Sequence, residues 1–387
     1  MNIGAKMSIE KLYYKLEEAE FIKLIEEYKN SSLTRVLLAS TKEPYYYYPN
    51  EEINELINNV TIKQIQLDNI FNSFPIFIQK QIIQSFLLNE IKSTNEIESI
   101  FSTRYDIFYC LNHLKSSKDK KIISICNAYK LFLNKNKQEI TSLKDIRDIY
   151  DSLLKGAINS EDKPDGKYFR KDVVYVTNGK EKVHQGLIGE NNINKAMEEF
   201  LSIYNDPKGI IKNLLISHFM LETIHPYYDG NGRLGRFLMS KKLYEETNSI
   251  CALTISSAIL EKKSEYYKAL ELARKPHEFH IINDYCEIMA KILMNRFDEI
   301  INDLENKKRM IDQIDLDKSF TKNEKAIYKL IYESSLFTDY GICNEEIMNE
   351  LEISKRSLLY AIEKYRNLDL LDETKISKVI YHRIKKA

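Results

Sequence analysis

The stretch His225-Pro-Tyr-Tyr-Asp-Gly-Asn-Gly-Arg-Leu-Gly-Arg236 carries the strongest structural signal in this chain of 387 residues. A helix beginning near Asn231 would direct its free N–H groups and the positive end of its dipole at an anion. Gly230 and Gly232 lack side chains that would block a close approach, so the backbone could hold a phosphate group. The stretch therefore predicts a phosphate-binding loop at the start of a helix.

The side chains of this stretch suit phosphate chemistry. His225 can accept a proton near neutral pH because the unperturbed pKa of imidazole is about 6.5. Asp229 is an oxygen ligand suited to Mg²⁺, which binds few carboxylates and keeps several waters. Arg233 and Arg236 can both clamp phosphate oxygens from the predicted helix. A single Asp-Gly or Asn-Gly pair would indicate only a turn, but the complete string favours phosphate binding.

The string resembles the Fic family signature His-Pro-Phe-x-[Asp/Glu]-Gly-Asn-Gly-Arg-x-x-Arg, with Tyr227 in place of Phe. The resemblance implies transfer of AMP from ATP to a Ser, Thr or Tyr hydroxyl of a target protein, and self-modification. It implies that His225 deprotonates the acceptor hydroxyl and that Asp229 holds Mg²⁺. It also implies a set of phosphate-binding residues: Gly230, Asn231, Gly232, Arg233 and Arg236.

A second stretch, Ser93-Thr-Asn-Glu-Ile-Glu-Ser-Ile-Phe101, resembles the inhibitory motif of the same family, [Ser/Thr]-x-x-x-Glu-[Gly/Asn]. Thr94 and Glu98 fill the motif and would share one helical face, whereas Ser99 replaces the final Gly or Asn. The resemblance implies that Glu98 pairs with Arg236 and blocks productive binding of the γ-phosphate. The alternative for Glu98 is an ordinary solvated carboxylate.

Two further segments extend the resemblance. Residues 168–184 alternate apolar and polar side chains around Asn178-Gly179, which predicts a β-hairpin. This hairpin resembles the Fic flap, which aligns a target segment by strand addition. Tyr266 and Tyr267 resemble the helix that closes the adenosine side of the pocket. Because neighbours on a helix do not share a face, one tyrosine would stack on adenine and the other would pack in the core.

Three residues near these motifs receive different interpretations. His184, at the end of the predicted hairpin, could contact a target or be a surface or packing residue, and it is not assigned as catalytic. His218, on the predicted helix before the loop, is interpreted as a packing residue and not as a ligand. Arg274 stands about where some relatives of the Fic family have an asparagine, so the adenosine side of the pocket departs from the family pattern.

Composition excludes several classes of protein. The 57 basic and 57 acidic residues balance, so no overall charge attracts nucleic acid or anionic lipid. The five cysteines are scattered, which favours a reducing cytoplasm over a disulfide framework or a zinc site. No apolar run indicates a secretion signal or a membrane span.

Helical periodicity predicts a mainly α protein. We divide the sequence into an N-terminal helical region at 1–115, a Fic core at 116–302, a linker at 303–318 and a domain at 319–387. The last segment reads as three helices and a β wing, which resembles a winged helix-turn-helix.

The partner of the last segment is left open. Lys355, Arg356, Lys364 and Arg366 could lie near DNA, but nearby glutamates would repel phosphate, which favours protein docking or a homodimer. The whole chain is therefore expected to be a regulated protein adenylyltransferase that uses ATP and Mg²⁺. Two alternatives are a nucleotide-sensing regulator that acts through its winged helix, and an enzyme that removes AMP with Glu98 activating water.

Overall fold

A computed structural model describes residues 9–41, 43–112, 120–133, 139–177, 181–274, 280–314 and 317–385. Most of them are helical, which confirms the predicted mainly α class. The helices are α1 Ile9–Lys15, α2 Glu18–Asn30, α3 Glu51–Asn72, α4 Ile76–Ile97, α5 Arg104–Asn112, α6 Lys120–Leu133, α7 Leu143–Leu153, α8 Glu190–Tyr204, α9 Ile210–Ile224, α10 Asn231–Thr247, α11 Ile255–Glu261, α12 Lys263–Leu272, α13 Asn283–Asp312, α14 Lys322–Phe337, α15 Asn344–Leu351 and α16 Lys355–Asn367. The strands are β1 Arg35–Leu37, β2 Tyr45–Tyr47, β3 Tyr175–Thr177, β4 Lys182–Gln185, β5 Ile342–Cys343, β6 Leu371–Ile376 and β7 Val379–Ile384. Within the described ranges, no helix has both the length and the hydropathy that crossing a bilayer requires.

The chain divides into two compact units. The first comprises Met1–Ile65 and Glu90–Phe297, and the second comprises Gln66–Asn89 and Asp298–Ala387. This division differs from the four segments drawn from the sequence pattern. Residues 66–89 group with the C-terminal residues, and α13 continues as a helix into the segment read as a linker.

Apolar residues recur three and four positions apart throughout residues 62–101, which predicts helix. In the structure this range contains parts of two helices, α3 and α4. The chain leaves the helical conformation at Ser73 and Phe74, and Pro75 stands immediately before α4. The proline ring disfavours α backbone at the preceding residue, so the break has a local cause that periodicity does not show.

Helix α9 forms the centre of the first unit. Nearly all of its side chains are buried, including the polar Asn213, His218 and Glu222. It packs against α8 and α10. A helix that is buried on all sides is held by its neighbours more than by its own propensity. Its end at Ile224 and the start of α10 at Asn231 confirm the predicted loop between two helices.

Strands β3 and β4 form the predicted hairpin. The hairpin and the residues that flank it, 172–187, are called the flap below. The pairing is antiparallel, with Tyr175 opposite Gln185 and Val176 opposite His184, and the register shifts between Val176 and Thr177. The Asn178-Gly179 turn lies outside the described residues. In the same unit, β1 pairs with β2, and Tyr46 bridges to Ile281.

The second unit contains α14, α15, α16 and an antiparallel sheet with the order β5-β7-β6. Thr321 and Ser354 cap α14 and α16 with their side chains, as their residue types predict. Phe77 of α4 packs against the apolar cluster of these elements. Three helices followed by a two-stranded wing are compatible with the predicted winged helix-turn-helix.

Candidate active site

The loop between α9 and α10, residues 225–230, is shaped by left-handed backbone at both ends. His225 ends α9 with φ 51° and ψ 62°, and Gly230 precedes α10 with φ 84°. Glycine adopts this conformation at no steric cost, whereas histidine requires surrounding contacts to hold it. The sequence explains Gly230 but does not predict the conformation of His225.

His225 is neutral at physiological pH. Burial lowers its pKa to about 4, and the guanidinium of Arg274 adds to this effect. A neutral imidazole has a free lone pair, so His225 can accept a proton from an incoming hydroxyl. Sequence reading did not assign Arg274 an electrostatic effect on this histidine.

Asp229 and the start of α10 provide a place for a cation and an anion. The Asp229 side chain is 47% exposed, and its Oδ2 accepts a hydrogen bond of 3.1 Å from Arg233 Nη2. The Arg233 Nε atom is buried and has no hydrogen-bond partner among the described residues. Gly230 has no side chain that could cap α10, so the backbone N–H groups of the first turn are available to a ligand.

These residues fit Mg²⁺ and a phosphate chain. Mg²⁺ in nucleotide sites is held by one or two carboxylates together with substrate phosphates and water, so the single carboxylate of Asp229 is sufficient. The uncapped amides of Asn231 and Gly232 and the unpartnered Nε of Arg233 match phosphate oxygens.

The side chain of Asn231 braces the loop. Its Oδ1 accepts a hydrogen bond of 2.9 Å from the Tyr227 N–H, and its Nδ2 donates one of 2.8 Å to the Tyr227 carbonyl. The side chain thus holds the loop, and the backbone N–H of Asn231 is left for an anion. Tyr227 itself is fully buried and stacks on Tyr150 at 3.6 Å between ring centroids.

The guanidinium of Arg236 is enclosed by the end of α4. Its Nη2 lies 2.7 Å from Glu98 Oε1 and donates to the Thr94 carbonyl at 3.1 Å, while Nε donates to Thr94 Oγ1 at 3.0 Å. Burial alone would raise the pKa of Glu98, but the charge of Arg236 outweighs it and lowers that pKa. The structure thus brings together the three residues that two distant motifs single out.

The contact between α4 and α10 continues along both helices. Glu90 is completely buried and accepts hydrogen bonds from the Ser256 N–H, at 2.8 Å to Oε2, and from Ser240 Oγ, at 3.3 Å to Oε1. At Gly232 an added Cβ would lie 2.3 Å from Glu98 Oε1, so the glycine lets the two helices approach. Sequence reading missed Glu90, because a glutamate on a helix is usually solvated.

Ser99 occupies a position that explains the end of the inhibitory motif. Its φ is 57°, the Ile100 N–H bonds the Asn95 carbonyl at 2.9 Å, and the Ser99 N–H bonds the Glu96 carbonyl at 3.0 Å. These bonds define a Schellman cap, in which the left-handed residue is usually Gly and sometimes Asn. Ser99 adopts that conformation although it has neither the steric freedom of glycine nor the side-chain amide of asparagine.

One tyrosine of α12 is buried and the other is exposed, as the helical spacing predicted. Tyr266 is 1% exposed and its hydroxyl lies 3.0 Å from His218 Nε2, so it packs in the core and does not face a nucleotide in this conformation. Tyr267 is 41% exposed and remains the candidate for stacking on adenine. His218 is a packing residue, in agreement with the sequence reading.

Comparison with known proteins identifies the region that holds this loop. Residues 140–243 match the Fic/DOC family. Over 114 residues the chain is 32% identical to a protein of Aedes aegypti named Protein adenylyltransferase Fic, a match that covers 28% of this chain and 20% of that protein. The match thus spans about a fifth of that relative.

Solved structures resemble the chain more broadly. A Fic family protein from Desulfovibrio desulfuricans superposes with a TM-score of 0.55 at 15% identity and covers 88% of this chain and 98% of its own. A Fic domain-containing signaling protein from Bacteroides thetaiotaomicron has a TM-score of 0.46 at 17% identity, covering 65% of this chain and 97% of its own. The first likeness shows that the fold is shared.

Proposed function

We propose, for a chain whose residues 140–243 match the Fic/DOC family, that the protein transfers AMP from ATP to a hydroxyl side chain of a target protein. One observation carries the proposal: a single loop holds a neutral imidazole, His225, beside the half-exposed carboxylate of Asp229 and the uncapped start of α10. Transfer of a nucleotidyl group needs mainly positioning, charge stabilisation and one base, and these residues supply all three.

Each residue has a distinct proposed role. The amides of Asn231 and Gly232 and the side chain of Arg233 bind the phosphate chain, and Tyr267 stacks on the adenine. Asp229 holds Mg²⁺, which when bound neutralises charge on the phosphates. His225 takes the proton of the acceptor hydroxyl. The acceptor oxygen then attacks the α-phosphorus, the bond from this phosphorus to the bridging oxygen breaks, and pyrophosphate leaves. Orientation of the α-phosphorus toward the acceptor oxygen decides that AMP, and not phosphate, is transferred.

The proposed resting state is inhibited. Arg236 is 1% exposed and donates three hydrogen bonds to Thr94 and Glu98, so its guanidinium is not free for a γ-phosphate. Removing one partner of a buried ion pair is strongly unfavourable. Release therefore requires α4 to move, or Glu98 to be replaced, before ATP binds productively.

The test compares three proteins with ATP labelled at the α-phosphate. We expect Glu98→Gly to increase self-labelling well above wild type, because Arg236 becomes available. We expect His225→Ala in the same background to abolish it, because the base is lost. Mass spectrometry of the products should show added AMP and not added phosphate.

Glu96→Gln is the control, since it neutralises an exposed carboxylate of the same helical turn without adding a glycine that would weaken the turn. It should leave labelling at the wild-type level. Equal labelling in all variants would contradict both the catalytic and the inhibitory assignments. Release of AMP from a modified sample with Mg²⁺, without forward transfer by Glu98→Gly, would instead support the alternative in which the site removes AMP.

A further inference from the structure

Arg170 is a completely buried arginine at the entrance to the flap. Its Nε donates a hydrogen bond of 2.9 Å to the His225 carbonyl, Nη2 donates one of 3.4 Å to the Ile224 carbonyl, and Nη1 donates to the Asp172 carbonyl. Its own backbone N–H donates to the Pro226 carbonyl at 3.1 Å. Three consecutive carbonyls around His225 thus receive donors from one residue.

The charge of Arg170 is not compensated by an ion pair among the described residues. Burial lowers the pKa of this guanidinium to about 10, which reflects the cost of holding the charge there. A buried charge without a counterion is unfavourable unless backbone groups and dipoles replace its hydration. The charge of Arg170 therefore needs backbone groups or dipoles nearby that stabilise it.

The end of α9 supplies this stabilisation. The last carbonyls of a helix lack intrahelical partners and form the negative end of its dipole, where a cation is stabilised. Other residues at the flap complete this cap. His184 Nε2 donates to the Thr223 carbonyl at 2.7 Å, and the Leu187 N–H donates to the Ile224 carbonyl at 3.0 Å.

We propose that Arg170 is a positioning residue, which holds His225 in its left-handed turn and ties the flap to the loop of residues 225–230. The inference rests on the proposed function, because it assigns a residue that orients the base of that reaction. Without the guanidinium, the His225 carbonyl would lose its donor, and the Ile224 carbonyl would keep only the Leu187 N–H. The backbone of His225 would then be free to leave its left-handed conformation, and the imidazole would leave the start of α10.

Gly186 gives independent geometric support. A Cβ at this position would lie 2.4 Å from Arg170 Nη2 and 2.9 Å from His225 Cβ. The Gly186 N–H also bonds the Val174 carbonyl at 3.1 Å within the flap. The absence of a side chain at Gly186 thus lets the flap, the guanidinium and the histidine meet, and Gly186→Ala should displace both side chains.

Arginine suits this position better than lysine. The guanidinium is a planar fork with five donors, so it can reach carbonyls on the loop and on the flap simultaneously. A lysine ammonium would keep the charge but could not span both sides. Arg170→Lys therefore separates the geometric role from the electrostatic one, whereas Arg170→Gln removes both.

The experiment uses the full chain in the Glu98→Gly background. The variants Arg170→Lys, Arg170→Gln and Gly186→Ala are compared with Lys171→Gln, which removes the neighbouring exposed cation. Three quantities are measured: kcat and KM for AMP transfer, the Kd for Mg·ATP, and the pKa of His225 by NMR of labelled histidine.

We expect kcat to fall about 100-fold in all three variants, since a displacement of about 1 Å of a reacting group has this effect. The Kd for Mg·ATP should stay near the parent value, because the phosphate-binding amides belong to α10. The pKa of His225 should rise more in Arg170→Gln, where a nearby cation is lost, than in Arg170→Lys, where the positive charge is kept. Lys171→Gln should match the parent in all three.

Unchanged kcat in both Arg170 variants would overturn the inference. A loss of Mg·ATP affinity as large as the loss of kcat would also overturn it, because it would show that the substitution disturbs the whole site and not only His225. Should Arg170→Gln fail to fold, Arg170→Lys and Gly186→Ala carry the same comparison. If the Glu98→Gly parent transfers no AMP, the proposed function is wrong. In that case the NMR signal of His225 would still test the inference. Unchanged chemical shifts of His225 in Arg170→Lys would overturn it.

Discussion

At the scale of single residues, Tyr227 shows how a substitution in a motif is accommodated. The ring takes the place of a phenylalanine, stacks on Tyr150 and meets the edge of Phe169 at 5.5 Å. Its buried hydroxyl has no hydrogen-bond partner among the described residues. The aromatic anchor beneath the loop is thus retained, but the hydroxyl is desolvated without compensation, which is unfavourable.

We expect Tyr227→Phe to stabilise the protein by about 1 kcal/mol, because it removes an unsatisfied buried polar group without leaving a cavity. Thermal and denaturant unfolding measure the change. AMP transfer in the Glu98→Gly background should be unchanged, since the hydroxyl contacts neither the imidazole nor the phosphate-binding amides. A destabilised Tyr227→Phe variant would show that the hydroxyl has a partner, such as an ordered water.

At the scale of elements, the end of α4 forms the proposed inhibitory contact with Arg236. Glu90, Thr94 and Glu98 follow one another at one-turn spacing and all contact α10 or its neighbours. Helix α4 is thus anchored in the core, and the chain becomes exposed just beyond its end, at Ser99. Ser99 terminates this turn in a left-handed conformation that costs a non-glycine residue about 1 kcal/mol. The turn that carries Glu98 is therefore the weakest part of the proposed inhibitory contact.

We expect Ser99→Gly to strengthen inhibition, because glycine adopts the left-handed cap without strain and stabilises the turn that carries Glu98. Self-labelling of the otherwise wild-type chain should decrease. In the Glu98→Gly background the same substitution should have no effect on labelling, which provides the control. An increase in labelling would contradict this account of the cap.

At the scale of the whole molecule, the two units carry different chemistry. The first holds the candidate active site, and the second presents α16. Two of the four cations considered for DNA contact are already paired: Lys364 with Glu324 at 3.0 Å and Arg366 with Glu373 at 2.8 Å. The remaining two, Lys355 and Arg356, are exposed at the start of α16. The exposed Tyr360 lies on the same helix, which favours protein docking over DNA.

We expect the full chain to show no binding to mixed-sequence duplex DNA at low salt, where phosphate contacts are strongest. Fluorescence anisotropy of a labelled duplex measures this. The full chain is needed because Phe77 belongs to the apolar cluster of the second unit. Binding that is lost in a Lys355→Glu, Arg356→Glu double variant would contradict the expectation and assign α16 to DNA.

Local patterns account for much of the architecture. The loop of residues 225–230, the start of α10, the capping residues Thr321 and Ser354 and the strands of the flap were all predictable, because glycine, capping side chains and alternating polarity act on the backbone within a few residues. The pairing of Glu98 with Arg236 was predicted through family resemblance and not through periodicity.

Other features depend on packing between distant parts of the chain. In the sequence, Arg170 and Lys171 are adjacent and equivalent cations, yet one is buried against the His225 carbonyl and the other is exposed. Glu90 is buried because Ser256, far along the chain, donates two hydrogen bonds to it. No local pattern encodes such contacts, since burial and the shifts in pKa that follow from it arise only when distant elements pack together.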